Sequence, residues 1–516
     1  MSMFRRMSLA SRIALSLALT GTAIVGASVS RLRPQAEPQM LDPGLTPLQV
    51  AEWEEAGRQH LDYLPNQVLV KFKEGTSVAG AQRALMALRS RPDVSDLQWI
   101  GDLALLNDLG QANGDILAAQ LREQPEVEYA QPNYIRHLDS TPNDPSYATR
   151  QWDMTALDMP RAWDINGGAS GIIVAIVDTG PTSVTQTFAV RTWSGSAIVT
   201  VSVPFAVNPD LPASRQVLPR DFATNNGSTV LDMDGHGTHV SGTVGEETNN
   251  GVMLAGMAYK ATIMPIKACI SYWDLQFARS ANGTPGFVAP GTTGGCPDSA
   301  TVPGIRYAAD NGAKVVNYSI GGPGASPAHL DALNYAVGKG TFVAMAAGNE
   351  FEDGNPTGYP AAYAPQVEGA MSVASVGRSL RHAWYSSSGA WVEIAATGGD
   401  LREAGTPGGI WQSAPNEADF DDRLITFPRF DRYVETPLQG TSMASPHVAG
   451  LATLLYSQLG SGATPAVVEQ MIKKSARTCT ATSCDASATG SRARNDLFGA
   501  GLIQPRTALF GSGVRK

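Results

Sequence analysis

The chain has 516 residues, too many for one ordinary domain, and its 38 Lys and Arg stand against 47 Asp and Glu, a formal net charge of −9. With no basic cluster beyond the N-terminus, that balance argues against a nucleic-acid partner. The four cysteines, an even number, favour disulfides in an exported chain.

Residues 1–30 read as a signal peptide. Arg5, Arg6 and Arg12 precede an apolar run, 13–27, that is short for a membrane span, and Gly26, Ala27 and Ser28 suit a signal peptidase. A retained anchor is the alternative reading. With no second long apolar run, the mature protein is expected to be secreted, with no membrane association. Residues 31–63 are polar, contain proline and read as a linker. Within 64–138 the pattern changes: 67–72 alternates as a strand, 78–88 suits a helix, 97–106 suggests strand material, 113–122 a second helix and 127–130 a last strand. This β-α-β-β-α-β order fits a small α+β ferredoxin-like unit. The remainder, 139–516, reads as one large α/β domain.

Three short runs in the large domain carry chemistry. The apolar, β-branched run 171–177 reads as a central strand of a parallel sheet buried on both faces, and Asp178 follows it directly. A carboxylate at the C-terminal end of such a strand lies where open α/β sheets place catalytic groups. The second run, Asp234-Gly235-His236-Gly237-Thr238-His239, surrounds His236 with small residues at a helix start. The spacing of three between His236 and His239, with no Glu between them, does not match a zinc helix motif, so His239 reads as a buried, hydrogen-bonded histidine. The third run, Gly440-Thr441-Ser442-Met443-Ala444-Ser445-Pro446-His447, leads into an apolar helix and puts Ser442 near its N-terminus, where amide N–H groups and the helix dipole favour an oxyanion. Serine is a weak nucleophile at neutral pH and needs a base within hydrogen-bond reach, itself oriented by a third group.

These runs, in the order Asp, His, Ser, resemble the signatures of the subtilisin-like serine proteases. The resemblance implies a subtilisin-like, mostly parallel sheet with helices on both faces, and makes Ser442 the nucleophile, His236 the base and Asp178 its orienting group. Asn349, after Ala346-Ala347-Gly348, corresponds to the family's oxyanion donor. Ser319, Ile320 and Gly321 would line one side of the primary pocket, and Ala346, Ala347 and Gly348 the other, giving a broad endopeptidase that prefers large apolar residues before the cut. The end of the small unit, through Gln131-Pro132-Asn133-Tyr134, resembles an inhibitory propeptide, so the resemblance implies a self-processing zymogen cut between about 137 and 150. It implies a monomer acting on proteins or peptides, no cofactor for catalysis, and room for a structural calcium near Thr248-Asn249-Asn250-Gly251, with Asp210, Asp221 and Asp232 close in sequence but no ligand assigned.

Four cysteines allow three connectivities, among which sequence proximity favours Cys269–Cys296 and Cys479–Cys484. Two stretches depart from the family pattern: 181–207, with 187–190 and 197–203 expected to pair as a hairpin that rims the cleft or meets a partner, and 401–437. The rival readings are an inert scaffold, which would lack a triad member, and a dibasic-site processing protease, for which Glu350 is the one carboxylate in place.

Overall fold

The computed structural model describes residues 46–511 apart from 60, 62, 108–112, 136–140, 225–226, 421–426 and 488–492. The expected signal peptide and residues 137–140 of the expected cleavage range, 137–150, lie outside the described residues. Part of the expected linker is a helix, α1 (Pro47–Gln59). Thr46 Oγ1 accepts from Gln49 N–H at 3.2 Å and Gln49 Oε1 accepts from Thr46 N–H at 2.9 Å, a Thr-x-x-Gln capping box with proline at the first helical position.

The small unit has the expected order: β1 (Tyr63–Phe72), α2 (Val78–Leu85), β2 (Leu97–Ile100), β3 (Leu103–Asn107), α3 (Gly114–Arg122) and β4 (Val127–Tyr134). The strands form one antiparallel sheet in the order β2-β3-β1-β4. Alternation puts Val68 and Val70 on one face, where they meet Leu85, Leu117 and Leu121 from the helices. Ser77 and Asn113 cap the two helices with side-chain acceptors.

The large domain is built on seven parallel strands in the order β13-β12-β11-β10-β5-β9-β8. These are β5 (Ile173–Asp178), β8 (Arg220–Asp221), β9 (Thr262–Lys267), β10 (Val315–Tyr318), β11 (Phe342–Ala346), β12 (Ala370–Val376) and β13 (Ile394–Thr397). Along β5, Val174 and Ile176 join one apolar core while Ala175 and Val177 join another, as a sheet covered on both faces requires. Helices α4 (His236–Gly245) and α8 (Thr441–Leu459) pack in the first core; α6 (Asp298–Asp310) and α7 (Pro327–Gly338) pack in the second. From β5 the chain goes to the edge strand β8, returns to β9 beside β5, then crosses to β10 on the other side of β5, so the C-terminal end of β5 is a switch point of the winding.

The two departures meet in a separate apolar cluster. Segment 181–207 forms the expected hairpin, β6 (Gln186–Trp193) and β7 (Ile198–Phe205). Helix α5 (Tyr272–Ala281) lies in a segment closed by the Cys269–Cys296 disulfide. The stretch before the serine run is a hairpin, β14 (Ile410–Pro415) and β15 (Tyr433–Leu438), whose far end carries Phe420 and Phe430. Phe205 stacks on Phe430 at 5.0 Å, Trp273 Nε1–H donates to Phe420 O at 2.7 Å, and Phe430 N–H donates to Pro204 O at 2.9 Å. The second disulfide, Cys479–Cys484, also forms as sequence proximity favoured.

Candidate active site

Asp178 ends β5 and is buried. Its Oδ1 accepts from Thr179 N–H at 2.7 Å and faces His236 Nδ1 at 2.8 Å. Its backbone carbonyl accepts from the amides of Ala268 and Cys269, which fixes the strand end against β9. The carboxylate can therefore hold one ring nitrogen as N–H and leave the other to accept a proton.

His236 is the first residue of α4, and its side chain is 30% exposed. Asp232 sets the position of this helix: its Oδ1 accepts from Gly235 N–H at 2.9 Å, and its Oδ2 from Thr238 N–H at 2.9 Å and Thr238 Oγ1 at 2.6 Å. Thr179 Oγ1 accepts from Gly237 N–H at 2.8 Å, tying the helix to the residue after Asp178. A Cβ on Gly237 would sit 2.3 Å from Gly180 N, so only glycine permits this approach. Burial lowers the His236 pKa, but the charges of Asp178, Asp234 and Asp232 outweigh it and raise it to about 9.

Ser442 is the second residue of α8. Its hydroxyl donates to Ser319 O at 3.2 Å, and among the described residues no hydrogen bond joins it to His236. Apo hydroxyls of this kind tighten onto their base only with substrate in place. Pro446 lies inside α8, where its missing N–H leaves Ser442 O without its helical donor. Ser319 Oγ supplies that donor at 2.8 Å, and Asn317 Nδ2 donates to Ser319 Oγ at 3.0 Å. The proline and Ser319 together fix the backbone that carries Ser442.

Asn349 follows β11. Its Oδ1 accepts from Thr441 N–H at 2.9 Å and Thr441 Oγ1 at 3.0 Å, which fixes the side-chain amide beside the start of α8. Gly348, at φ +115°, has Ser387 Oγ 2.8 Å from where a Cβ would stand. Ser319, Ile320 and Gly321 leave the end of β10, and Ala346, Ala347 and Gly348 leave the adjacent end of β11. Glu350 turns back on its own loop, its Oε2 accepting from Asn349 N–H at 2.8 Å and Ser387 Oγ at 3.2 Å.

His239 is buried, and its Nε2 bridges Ile410 O and Thr436 O, each at 3.1 Å; burial holds its pKa down to about 3. Such a ring is a neutral tie between α4 and the β14–β15 hairpin. Of the acids near the expected calcium loop, Asp221 accepts from the amides of Ala223 and Thr224, and Asp232 caps α4. Asp210 and a residue the sequence reading passed over, Asp144, do converge on the loop: Asp144 accepts from Asn249 N–H at 2.9 Å, and Asp210 from Asn250 Nδ2 at 2.6 Å. Both are buried, and burial raises both pKa values, Asp210 to about 7.

Also unforeseen is Lys267, fully buried. Its Nζ lies 2.9 Å from Asp274 Oδ2 and donates to Leu231 O at 3.1 Å and Thr179 O at 3.4 Å. One cation thus clamps the segments that follow Asp178 and precede His236, with its counter-charge on α5. The sequence signal was a lysine ending an otherwise apolar strand.

A carboxylate, an imidazole, a helix-terminal serine and an amide, gathered at the C-terminal edge of a parallel sheet, define a serine peptidase of the Asp-His-Ser kind. Residues 169–501 match the subtilase family (Peptidase_S8) and 53–133 the fervidolysin N-terminal prodomain, so the chain belongs to the subtilases. It is a serine endopeptidase carrying a propeptide domain, whose match begins within the stretch expected to be linker. It is 31% identical over 399 residues to a thermophilic serine proteinase of Bacillus sp. (strain AK1), covering 77% of this chain and 79% of that protein. Thermitase of Thermoactinomyces vulgaris is 34% identical over 319 residues, 62% of this chain and 86% of thermitase. Among solved structures, a protease of Pseudoalteromonas arctica superposes with a TM-score of 0.51 at 27% identity, over 72% of this chain and all of that one.

Proposed function

We propose that the protein is a secreted, self-processing endopeptidase that cleaves through an acyl-enzyme on Ser442. Ser442 Oγ attacks the scissile carbonyl carbon as His236 takes its proton. Asp178 keeps the ring oriented and stabilises the imidazolium. The tetrahedral oxyanion is held by Asn349 NH2 and the Ser442 N–H, and collapse expels the amine with the proton returned from His236. Water then repeats the sequence on the acyl-enzyme, freeing the acid. The observation that carries this reading is the 2.8 Å contact between Asp178 Oδ1 and His236 Nδ1, with Ser442 at the start of α8.

Small residues on both sides of the pocket, Gly321 opposite Ala346 and Gly348, support a preference for large apolar residues before the cut. Glu350, committed to its own loop, gives no support to a dibasic specificity. A positively charged start with an apolar run supports export, as does similarity to an "Extracellular protease" of Xanthomonas campestris. Among the described residues no helix is long and apolar enough to cross a membrane. A structural calcium would be held by Asp144, Asp210 and the Asn250 amide; two buried carboxylates with raised pKa values fit a cation there. Among the described residues no group of three or more His, Cys, Asp or Glu forms a metal cluster, so backbone oxygens would complete that shell.

Intact mass and N-terminal sequence of wild type and Ser442→Ala test the zymogen. Wild type is expected to lose everything up to about 137–150 while the variant stays whole. Equal trimming of both would make maturation the work of another protease, and trimming of neither would end the zymogen reading.

A further inference from the structure

The cation that ends β9 depends on a charge from outside the sheet. Lys267 lies opposite Asp178 in the β5–β9 register, and its side chain is 1% exposed. Its Nζ donates to Thr179 O, on the residue after Asp178, and to Leu231 O, on the residue before Asp232. Carbonyls orient an ammonium group but carry no net charge, so a cation this far from water needs a carboxylate. Asp274 of α5 provides it, Oδ2 to Nζ at 2.9 Å.

Two other acids face the cation, Asp221 from β8 and Asp232 from the loop before α4, and both are already in use. Asp221 accepts from the amides of Ala223 and Thr224. Asp232 accepts from the amides of Asp234, Gly235 and Thr238 and from the Thr238 hydroxyl, which makes it the cap of the His236 helix. Asp274 is held for its task. It is the third residue of α5, and its Oδ2 accepts from Ser271 N–H at 2.8 Å and Ser271 Oγ at 2.9 Å in a capping box. Its neighbour Trp273 is anchored to Phe420 O, and the Cys269 amide just before α5 donates to Asp178 O at 3.2 Å. Without Asp274, Lys267 would have to compete for Asp232 and so loosen the start of α4.

We propose that Asp274 is a positioning residue for the Asp178–His236 pair and acts through Lys267, so that an inserted helix helps to set the catalytic geometry. The proposal rests on the catalytic assignment given above. Neither side chain touches the reacting atoms. Asp274 fixes Lys267, and Lys267 ties the segment leaving Asp178 to the segment entering His236. The pair is also neutral as a unit, so removing one half changes the charge beside the dyad and removing both does not.

The test is hydrolysis of one chromogenic peptide by the mature enzyme across pH, with kcat expressed per active site by titration with a serine-directed inhibitor. His236 faces Asp178, Asp234 and Asp232, which stay in place in every variant. Asp274→Asn is expected to lower kcat about 10- to 100-fold with little change in KM, the scale on which small misplacements act. The unpaired Lys267 charge disfavours the imidazolium, so the acid limb of kcat/KM should move to lower pH. Lys267→Met should also lower kcat but move the limb to higher pH, because Asp274 and Asp232 are then uncompensated. Asp274→Glu, which keeps the charge, should leave the limb where wild type has it. Lys267→Met with Asp274→Leu buries no charge, and it decides the matter if a single variant fails to fold. Its limb should match wild type while kcat stays about tenfold low, since Thr179 O and Leu231 O have lost their donor. Wild-type kcat per site in the double variant, or limbs displaced in the same direction by both single changes, overturns the proposal. So does a loss confined to the number of active sites, which is stability alone. Absence of any cleavage by the wild type would instead remove the catalytic assignment beneath it.

Discussion

The rim of the central sheet and the cluster of inserted segments are built from the same materials to different logic. At the rim, Asp178 and His236 are held by neighbours close along their own segments, while Asn349 is held across 92 residues. Asp178 is fixed by Thr179, His236 by the cap from Asp232, and Asn349 stands on Thr441, the residue before Ser442. In the cluster the contacts that join the segments are long-range. Phe205, Trp273 and Phe430 come from three segments, none of which can bury its apolar face alone. Chemistry is placed by directional hydrogen bonds on a rigid sheet, whereas the surface around it is assembled from apolar contacts between inserted segments.

That contrast can be broken from either side. Asp178→Asn should remove about 10⁴-fold of kcat, as the equivalent change does in a serine protease of another fold, with the melting temperature little moved; a large loss of stability would mean the rim is not locally held. Phe430→Ala should do the reverse, lowering stability by about 3–5 kcal/mol in a denaturant titration, because it empties the stack on Phe205. If it abolished hydrolysis of a single-residue ester as thoroughly as Asp178→Asn, the two regions would not be separable. Asn349→Ala should cost about 100- to 1000-fold in kcat with KM nearly unchanged, a magnitude that comes from subtilisin itself, a member of this family.

The pH profile sharpens the rim side. The base must be neutral to take a proton, so kcat/KM should rise with pH through the His236 pKa. With that pKa raised from 6.5 to about 9 by Asp178 and its neighbours, the acid limb should lie above 6.5, and solvent reaching a ring 30% exposed keeps it from exceeding about 9. In Asp178→Asn the residual activity should show that limb displaced to lower pH. The smallest effect expected is from chelation. Removing calcium should lower the melting temperature by several degrees through Asp144 and Asp210, by mass action, and leave initial rates unchanged at low temperature.

Much of this molecule was legible in one dimension. The 171–177 run read as a two-face-buried strand, and Ile173–Asp178 form it; the residues around His236 and Ser442 needed glycine and small side chains for helix starts, and the order of elements in 64–134 followed from their periods. The capping box that starts α1 was also there to be read, as Thr-x-x-Gln before a proline-led helix. What could not be read depended on partners distant in sequence. Ser319 Oγ replaces the N–H that Pro446 lacks across a separation of 123 residues from Ser442. Lys267 is neutralised by Asp274 on an inserted helix and holds two carbonyls near the catalytic groups. Asp144 reaches the Asn249 loop from 105 residues away. Local propensity and motif chemistry fix which residues do the work, because they act over a few bonds; which buried charge is paired and which apolar face is covered is settled only when the folded chain brings the other half of each contact into place.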